Sequence, residues 1–306
     1  MAALRGWFDR SGWRDLIIGL PYVWLIAFFL LPFFIVVGMS LAKTALSAPP
    51  FEFLPGWPYI RFENYARLFS DSVYIRSYFT SVYNALVTTV LCLLLGYPMA
   101  LGITRVSPRW RNILLMLVIL PFWTSFLLRV YAWIGLMGSH SWFNTGLTAL
   151  VNHVLPAEWA LRSIPMMNTN FAVVLVMVYS YLPFMILPLY ANLEKLDTTL
   201  NEAAMDLGSR PWQVFKDVTF PLSVPGIIAG ALLTFIPASG ELLIPNLVGN
   251  ASSPMIGGVI LDEFASARDW PMASTVAVAL LVMLVLPMMA YNHFEAKAQA
   301  AREARS

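Results

Sequence analysis

A glutamate stands inside an apolar run: Glu241, within residues Gly226–Leu247. A carboxylate at such a place is expensive, and by default it marks a function such as compensating a cation that crosses a membrane. Two other readings stay open, an ion pair with Arg129 or a position near a water-filled helix end. Trp123 and Tyr131 are eight residues apart, near one face of a helix and about two turns from one another. Aromatic faces so placed can line a pathway and stack on a cation; they can equally pack or sit at a membrane interface. Asp262, Glu263 and Asp269 share a polar stretch that either draws a cation to the mouth of a pathway or forms an ordinary solvated face.

Other chemistry is poorly supplied. His140, His153 and His293 are scattered without metal-ligand spacing, and no nucleophile–base cluster accompanies them. The only cysteine, Cys92, lies in an apolar run, so no disulfide framework or zinc site can be built from it. The phosphate-binding pattern G-x-x-x-x-G-K-[ST] is absent, so ATP is not bound in that way. Neither a catalytic site nor a cofactor nor a metal is called for. A net charge of +2 gives no reason to expect nucleic acid.

The elements that must carry these residues are membrane helices. The 306 residues are 59% hydrophobic and 12% charged, and mean hydropathy is +0.69. Soluble domains carry about 25% charged residues. Apolar runs of about 20 residues read as spans. Six are present, at Leu16–Leu41, Tyr78–Ile103, Asn112–Gly135, Phe171–Tyr190, Gly226–Leu247 and Met272–Tyr291. The first is too long for the core of a signal peptide and lacks a cleavage site, so it reads as an N-terminal anchor, about 16–41. The short alternating segments of a β-barrel are missing.

Lys and Arg near the helix ends set the orientation. Arg5, Arg10 and Arg14 precede the first span, Arg105, Arg109 and Arg111 fill a very short loop, and Lys195, Arg210 and Lys216 lie between spans four and five. Lys297, Arg302 and Arg305 follow the last span. On the other side Lys43, Arg61, Arg67, Arg76, Arg162 and Arg268 are spread over longer loops, about 43–77, 136–170 and 248–271. Both termini are therefore expected in the cytoplasm. No low-complexity linker divides the chain, which reads as one domain, 1–306, with a core over about 78–291.

One cytoplasmic segment, 193–225, carries its own order. Thr199-Leu200-Asn201-Glu202 fits a capping box. Leu200, Ala203, Ala204 and Leu207 then follow at helical spacing. Gly208 stands where a left-handed terminator is usual, and Pro211 can open a second helix. Pro221 and Pro225 are expected to stop that helix before the fifth span. The result is a short helix–turn–helix beside the membrane. Helix rules alone leave it either a surface hairpin or a docking element.

Glu202-Ala203-Ala204, Gly208, Phe215 and Pro221–Pro225 together resemble the EAA loop of ATP-binding-cassette importer permeases. Ser209 and Val218 depart slightly from the usual alanine and isoleucine. The resemblance implies an all-α integral membrane protein, a type I importer permease of MetI-like fold with six transmembrane helices and a cytoplasmic coupling helix. It implies that Glu202, Ala203, Ala204, Asp206 and Gly208 couple this chain to an external ATPase, which pushes on the loop and rocks the spans. Further stretches narrow the resemblance to polyamine permeases, nearest the putrescine-type first subunit. Among them are Leu20-Pro21-Tyr22-Val23-Trp24, Pro121-Phe122-Trp123-Thr124-Ser125-Phe126, Leu182-Pro183-Phe184-Met185 and Gly240-Glu241. That group implies a second homologous permease subunit, two copies of the ATPase subunit, a periplasmic polyamine-binding protein and a bacterial inner membrane.

Two competing classes are testable. A secondary transporter would usually show a repeat or more spans and no docking helix. A membrane enzyme would need the clustered acid, histidine or nucleophile groups that are not found.

Overall fold

A computed structural model describes residues 13–45, 47–52, 62–154, 156 and 161–303. Arg5, Arg10, Arg61 and Arg305 lie outside the described residues. The helices are α1 (Trp13–Leu25), α2 (Leu31–Ser40), α3 (Glu63–Ser70), α4 (Ser72–Arg105), α5 (Pro108–Ile119), α6 (Phe126–Met137) and α7 (Trp142–Val154). They continue with α8 (Asn170–Leu193), α9 (Thr198–Asp206), α10 (Pro211–Val214), α11 (Phe220–Ser239), α12 (Leu243–Val248), α13 (Ile256–Leu261) and α14 (Trp270–Glu303). Two short strands, β1 (Lys43–Thr44) and β2 (Phe51–Glu52), pair antiparallel.

The chain packs as two compact units, residues 73–259 and residues 1–72 with 260–306. In the second of these, α2 packs along α14. The Thr275 hydroxyl donates to the Ser40 carbonyl at 3.1 Å, and the Asn64 amide donates to the Ser40 and Ala42 carbonyls.

In the unit formed by residues 73–259, α8 and α11 make the most extensive helix pair. Their closeness follows from Gly226 and Gly230. A Cβ on Gly226 would stand 2.6 Å from the Asn192 Cβ, and one on Gly230 would stand 2.8 Å from the Met185 Sδ and 3.0 Å from its carbonyl oxygen. Small residues four apart let membrane helices approach closely. That spacing is the sequence signal for this contact, and it is absent from the candidates above. Gly230→Leu should force α8 and α11 apart at a cost of about 1–3 kcal/mol, visible as a lower melting temperature of the purified permease; an unchanged melt would show that the pair does not hold this unit together.

Among the described residues, four helical stretches are long and apolar enough to cross a bilayer: Ile17–Ser40, Ser72–Arg105, Asn170–Leu193 and Pro211–Ser239. Two corrections to the expected spans follow. The third is not one straight helix. Pro108–Trp123 and Phe126–Met137 meet at 93° and count as a span only together. Pro121 lacks an N–H, Thr124 turns extended, and its hydroxyl folds back on the Pro121 carbonyl at 2.8 Å. The fifth helix ends at Ser239 rather than running through Leu247. The sixth expected span, Met272–Tyr291, lies within the continuous helix α14, Trp270–Glu303.

Pro221 and Pro225 do not stop the helix begun at Pro211, a further correction. A wide turn over Phe215–Thr219 precedes Pro221, with the Phe220 N–H bonded to the Phe215 carbonyl five residues back. This offset absorbs the missing N–H and the ring of Pro221. The helix therefore runs on to Ser239, and the second arm of the hairpin is an extension of the fifth span.

Candidate functional site: an exposed hairpin and a broken span

The hairpin is built locally. Its first helix, α9, begins at Thr198, one residue before the expected cap. The cap is Asp197, whose carboxylate accepts the Thr199 N–H at 2.9 Å. An anionic acceptor suits the positive end of the helix better than a hydroxyl. The capping box predicted at Thr199–Glu202 is thus replaced, and Glu202 is exposed with no capping duty.

The Thr199 N–H also holds the Asp197 carboxyl below its ordinary pKa. A depressed pKa makes the cap fully present above the usual carboxylate range, and it is lost as pH falls through the lowered value. Asp197→Ala should speed hydrogen exchange of the amides at 199–201 at neutral pH, whereas Asp197→Asn should not; equal exchange in both would remove the cap's role.

The α9 terminus matches expectation. Gly208 has φ +88°, with its N–H on the Met205 carbonyl at 2.8 Å and the Ser209 N–H on the Ala204 carbonyl at 3.1 Å. This pair of bonds is the Schellman arrangement. Arg210 then caps the next helix, its N–H donating to the Gln213 side chain at 2.7 Å.

The exposed side of α9 is apolar as well as acidic. Leu207 is 89% exposed, Leu200 and Met205 are about half exposed, and Ala203, Glu202 and Asp206 face outward while Ala204 is partly covered. Its other side is tied down. The Thr219 hydroxyl donates to the Asn201 side chain at 3.2 Å. The Phe215 ring meets Tyr97 of α4 edge-on at 5.7 Å and stacks on Trp212 at 5.4 Å, and the Tyr97 and Ser223 hydroxyls are 2.9 Å apart. Aromatic contacts and hydroxyls thus join the hairpin to α4 and α11. Arg111 adds a brace at the neighbouring helix ends, pairing with Glu194 at 2.9 Å and donating to the Thr104 carbonyl at 3.1 Å. Neither Tyr97 nor Arg111 is marked by sequence spacing.

Glu241 lies not inside a continuous helix but at the break between α11 and α12. It is 8% exposed. One carboxylate oxygen accepts the backbone N–H groups of Leu242, Leu243 and Ile244, at 3.1, 2.9 and 3.4 Å. The other accepts the Tyr181 hydroxyl from α8. The carboxylate thus serves the orphan donors at the start of α12. No ion pair joins it to Arg129, whose guanidinium lies 5.8 and 5.5 Å from the ring centres of Phe122 and Phe126. Tyr181 is sixty positions away in sequence, and no pattern pairs it with Glu241.

The aromatic candidates are separated by the bend. Trp123, 77% exposed, ends the short helix before Thr124, and Tyr131, 57% exposed, lies on α6 beyond it. They do not share a straight helical face. Asp269 accepts from Arg67 at 3.0 Å, from the Thr44 hydroxyl at 2.6 Å and from the Met272 N–H at 3.1 Å. It is a cap and clamp for α14. Asp262 and Glu263 open the wide turn Asp262–Ser266, with Asp262 exposed and Glu263 partly covered.

Residues 92–299 match the family of binding-protein-dependent transport system inner membrane components. The spermidine/putrescine transport system permease protein of Haemophilus influenzae is 38% identical over 282 residues, 92% of this chain and 94% of that one. Among solved structures, a bacterial ABC transporter involved in import of the acidic polysaccharide alginate aligns with a TM-score of 0.68 at 18% identity, over 96% of this chain and 99% of that chain. The MetNI methionine ABC transporter aligns with a TM-score of 0.53 at 16% identity, over 72% and 94%. Identities this low speak for fold and not for cargo. With a family match over most of its length and a near full-length relative, this chain belongs to the binding-protein-dependent inner membrane permeases, the membrane subunits of ABC importers.

Proposed function

We propose that this chain is the first permease subunit of an ATP-driven polyamine importer, taking putrescine, spermidine or both. The observation that carries the cargo is the 38% identity, over 92% of the chain, to a permease named for spermidine and putrescine. The other outcome in view is a different small cationic solute, and a secondary transporter is the more distant one. The translocation pathway forms between this chain and a second, homologous permease subunit. Two copies of an ABC ATPase subunit supply the hydrolysis that this chain has no phosphate loop to perform. A periplasmic polyamine-binding protein delivers the substrate, and both termini face the cytoplasm.

Glu202, Ala203, Ala204, Asp206 and Gly208 form the docking face for the ATPase. An exposed leucine beside acidic and small residues supports this reading, because such a surface gains by being covered. Trp123 and Tyr131 offer exposed rings that can hold an ammonium group. Asp262 and Glu263 are candidates for drawing cations in, and Asp269 keeps the loop that carries them in place. Glu241 serves the pathway by fixing the broken fifth span.

The test is uptake of labelled putrescine by proteoliposomes holding the whole complex, with ATP inside and binding protein outside. The reading expects uptake that needs both and that excess spermidine competes away. Uptake driven by an ion gradient without ATP would overturn it.

A further inference from the structure

A cavity of about 570 Å³ opens between the last two turns of α4, the C-terminal half of α5 and the middle of α8. Its wall is made of Met99, Gly102, Val106, Leu117, Leu182, Ile186 and their apolar neighbours, with Tyr179 bringing the only side-chain hydroxyl. No carboxylate reaches it. A diammonium ion entering it would lose its hydration and gain no acceptor in return. The cavity is therefore unsuited to the proposed cargo.

Its rim is of the opposite character. Val106, in the wall, follows Arg105 directly, and Leu114, also in the wall, is five residues or about 7 Å along the axis from Arg109. Arg105 and Arg109 are exposed and make no ion pair among the described residues. The third arginine of this turn, Arg111, is already bound to Glu194 and Thr104. Trp110, between them, is 59% exposed. Trp at a span boundary is characteristic of the headgroup level, and basic pockets between spans suit anionic headgroups.

We infer that this cavity seats an acyl chain of an anionic bilayer phospholipid, whose phosphate lies on Arg105 and Arg109. Charge at the rim and hydrocarbon one turn below match the two halves of one lipid molecule. Gly102 makes the room. Nothing lies within 4 Å of where its Cβ would stand, so a side chain can start there without striking the protein and extend toward the hollow. The site requires only that α4 and α5 be embedded, and it is independent of the cargo. In the orientation proposed above it opens to the inner leaflet.

The whole complex, in nanodiscs of equimolar phosphatidylglycerol and phosphatidylethanolamine, would be released into native mass spectrometry. The wild type should retain phosphatidylglycerol over phosphatidylethanolamine by about threefold or more. Arg105→Gln with Arg109→Gln should abolish that preference while some lipid stays bound. Gly102→Phe should lose this bound lipid of either kind, with the subunit masses in the same spectra proving assembly. Equal retention of the two lipids by the wild type, or retention untouched by Gly102→Phe, overturns the inference. A photo-reactive residue in place of Met99 should label lipid; labelling of the second permease subunit instead would assign the cavity to the subunit interface and also overturn it.

Discussion

Glu241→Ala should leave the permease poorly folded, with a fall in stability of about 3–5 kcal/mol. Three backbone N–H groups at the start of α12 and the Tyr181 hydroxyl lose their acceptor at once. A buried group left without its partner costs about 1–3 kcal/mol, and a membrane span offers no water to repair it. Lower yield in the membrane and a lower melting temperature are the readouts. Glu241→Gln separates the charge from the bonding. Its amide oxygen still accepts the three N–H groups, and its NH₂ can donate to the Tyr181 oxygen. If Glu241 holds the break, the glutamine variant keeps both melting temperature and uptake. Loss of putrescine uptake by a normally melting Glu241→Gln complex would return this carboxylate to direct contact with the cation.

Gly208→Val should give a chain that inserts and assembles but imports poorly. At φ +88° a β-branched residue is strained, and nothing else crowds the position. The left-handed conformation costs an L-residue about 1–2 kcal/mol. That is roughly a tenfold loss in the population of the intact terminus. The two bonds closing α9 at Met205 and Ala204 would loosen, and with them the angle at which Leu207 and Glu202 are presented. Uptake should fall about tenfold relative to the ATP hydrolysed, while the amount of permease in the membrane stays level. Gly208→Asn should retain most of the coupling, because asparagine tolerates this conformation. Full coupling in the valine variant would detach the hairpin from the transport cycle.

Much of this was legible in residues taken one stretch at a time. Apolar runs located α4, α8 and the bilayer-long Ile17–Ser40 segment, because burial in lipid demands composition and little else. Gly208 and Pro211 announced the hairpin because each answers a local backbone requirement. The breaks were not legible. A window of hydropathy averages over Thr124–Ser125 and over Gly240–Leu242, where two or three residues leave the helix while their neighbours stay equally apolar. The helix start at Thr199 is off by a short step because Asp197 and Thr199 can both serve as an N-cap, and only geometry chooses the stronger acceptor. The prolines at 221 and 225 were read as stops because the wide turn that accommodates them has no sequence mark. Glu241 was visible as an anomaly from the start, but its role depends on Tyr181, which lies on another helix.

The central claim is that the Glu202–Gly208 face is where an ATPase engages this permease. The chain's single cysteine, Cys92, is buried, so a Cys92→Ala background with Leu207→Cys carries one exposed thiol. Cross-linking this thiol in the assembled complex, with and without ATP, addresses the claim directly. The account predicts a cross-linked product between permease and ATPase subunits, with a yield that changes on adding nucleotide. A thiol that stays freely reactive in the complete, ATP-hydrolysing complex would contradict it.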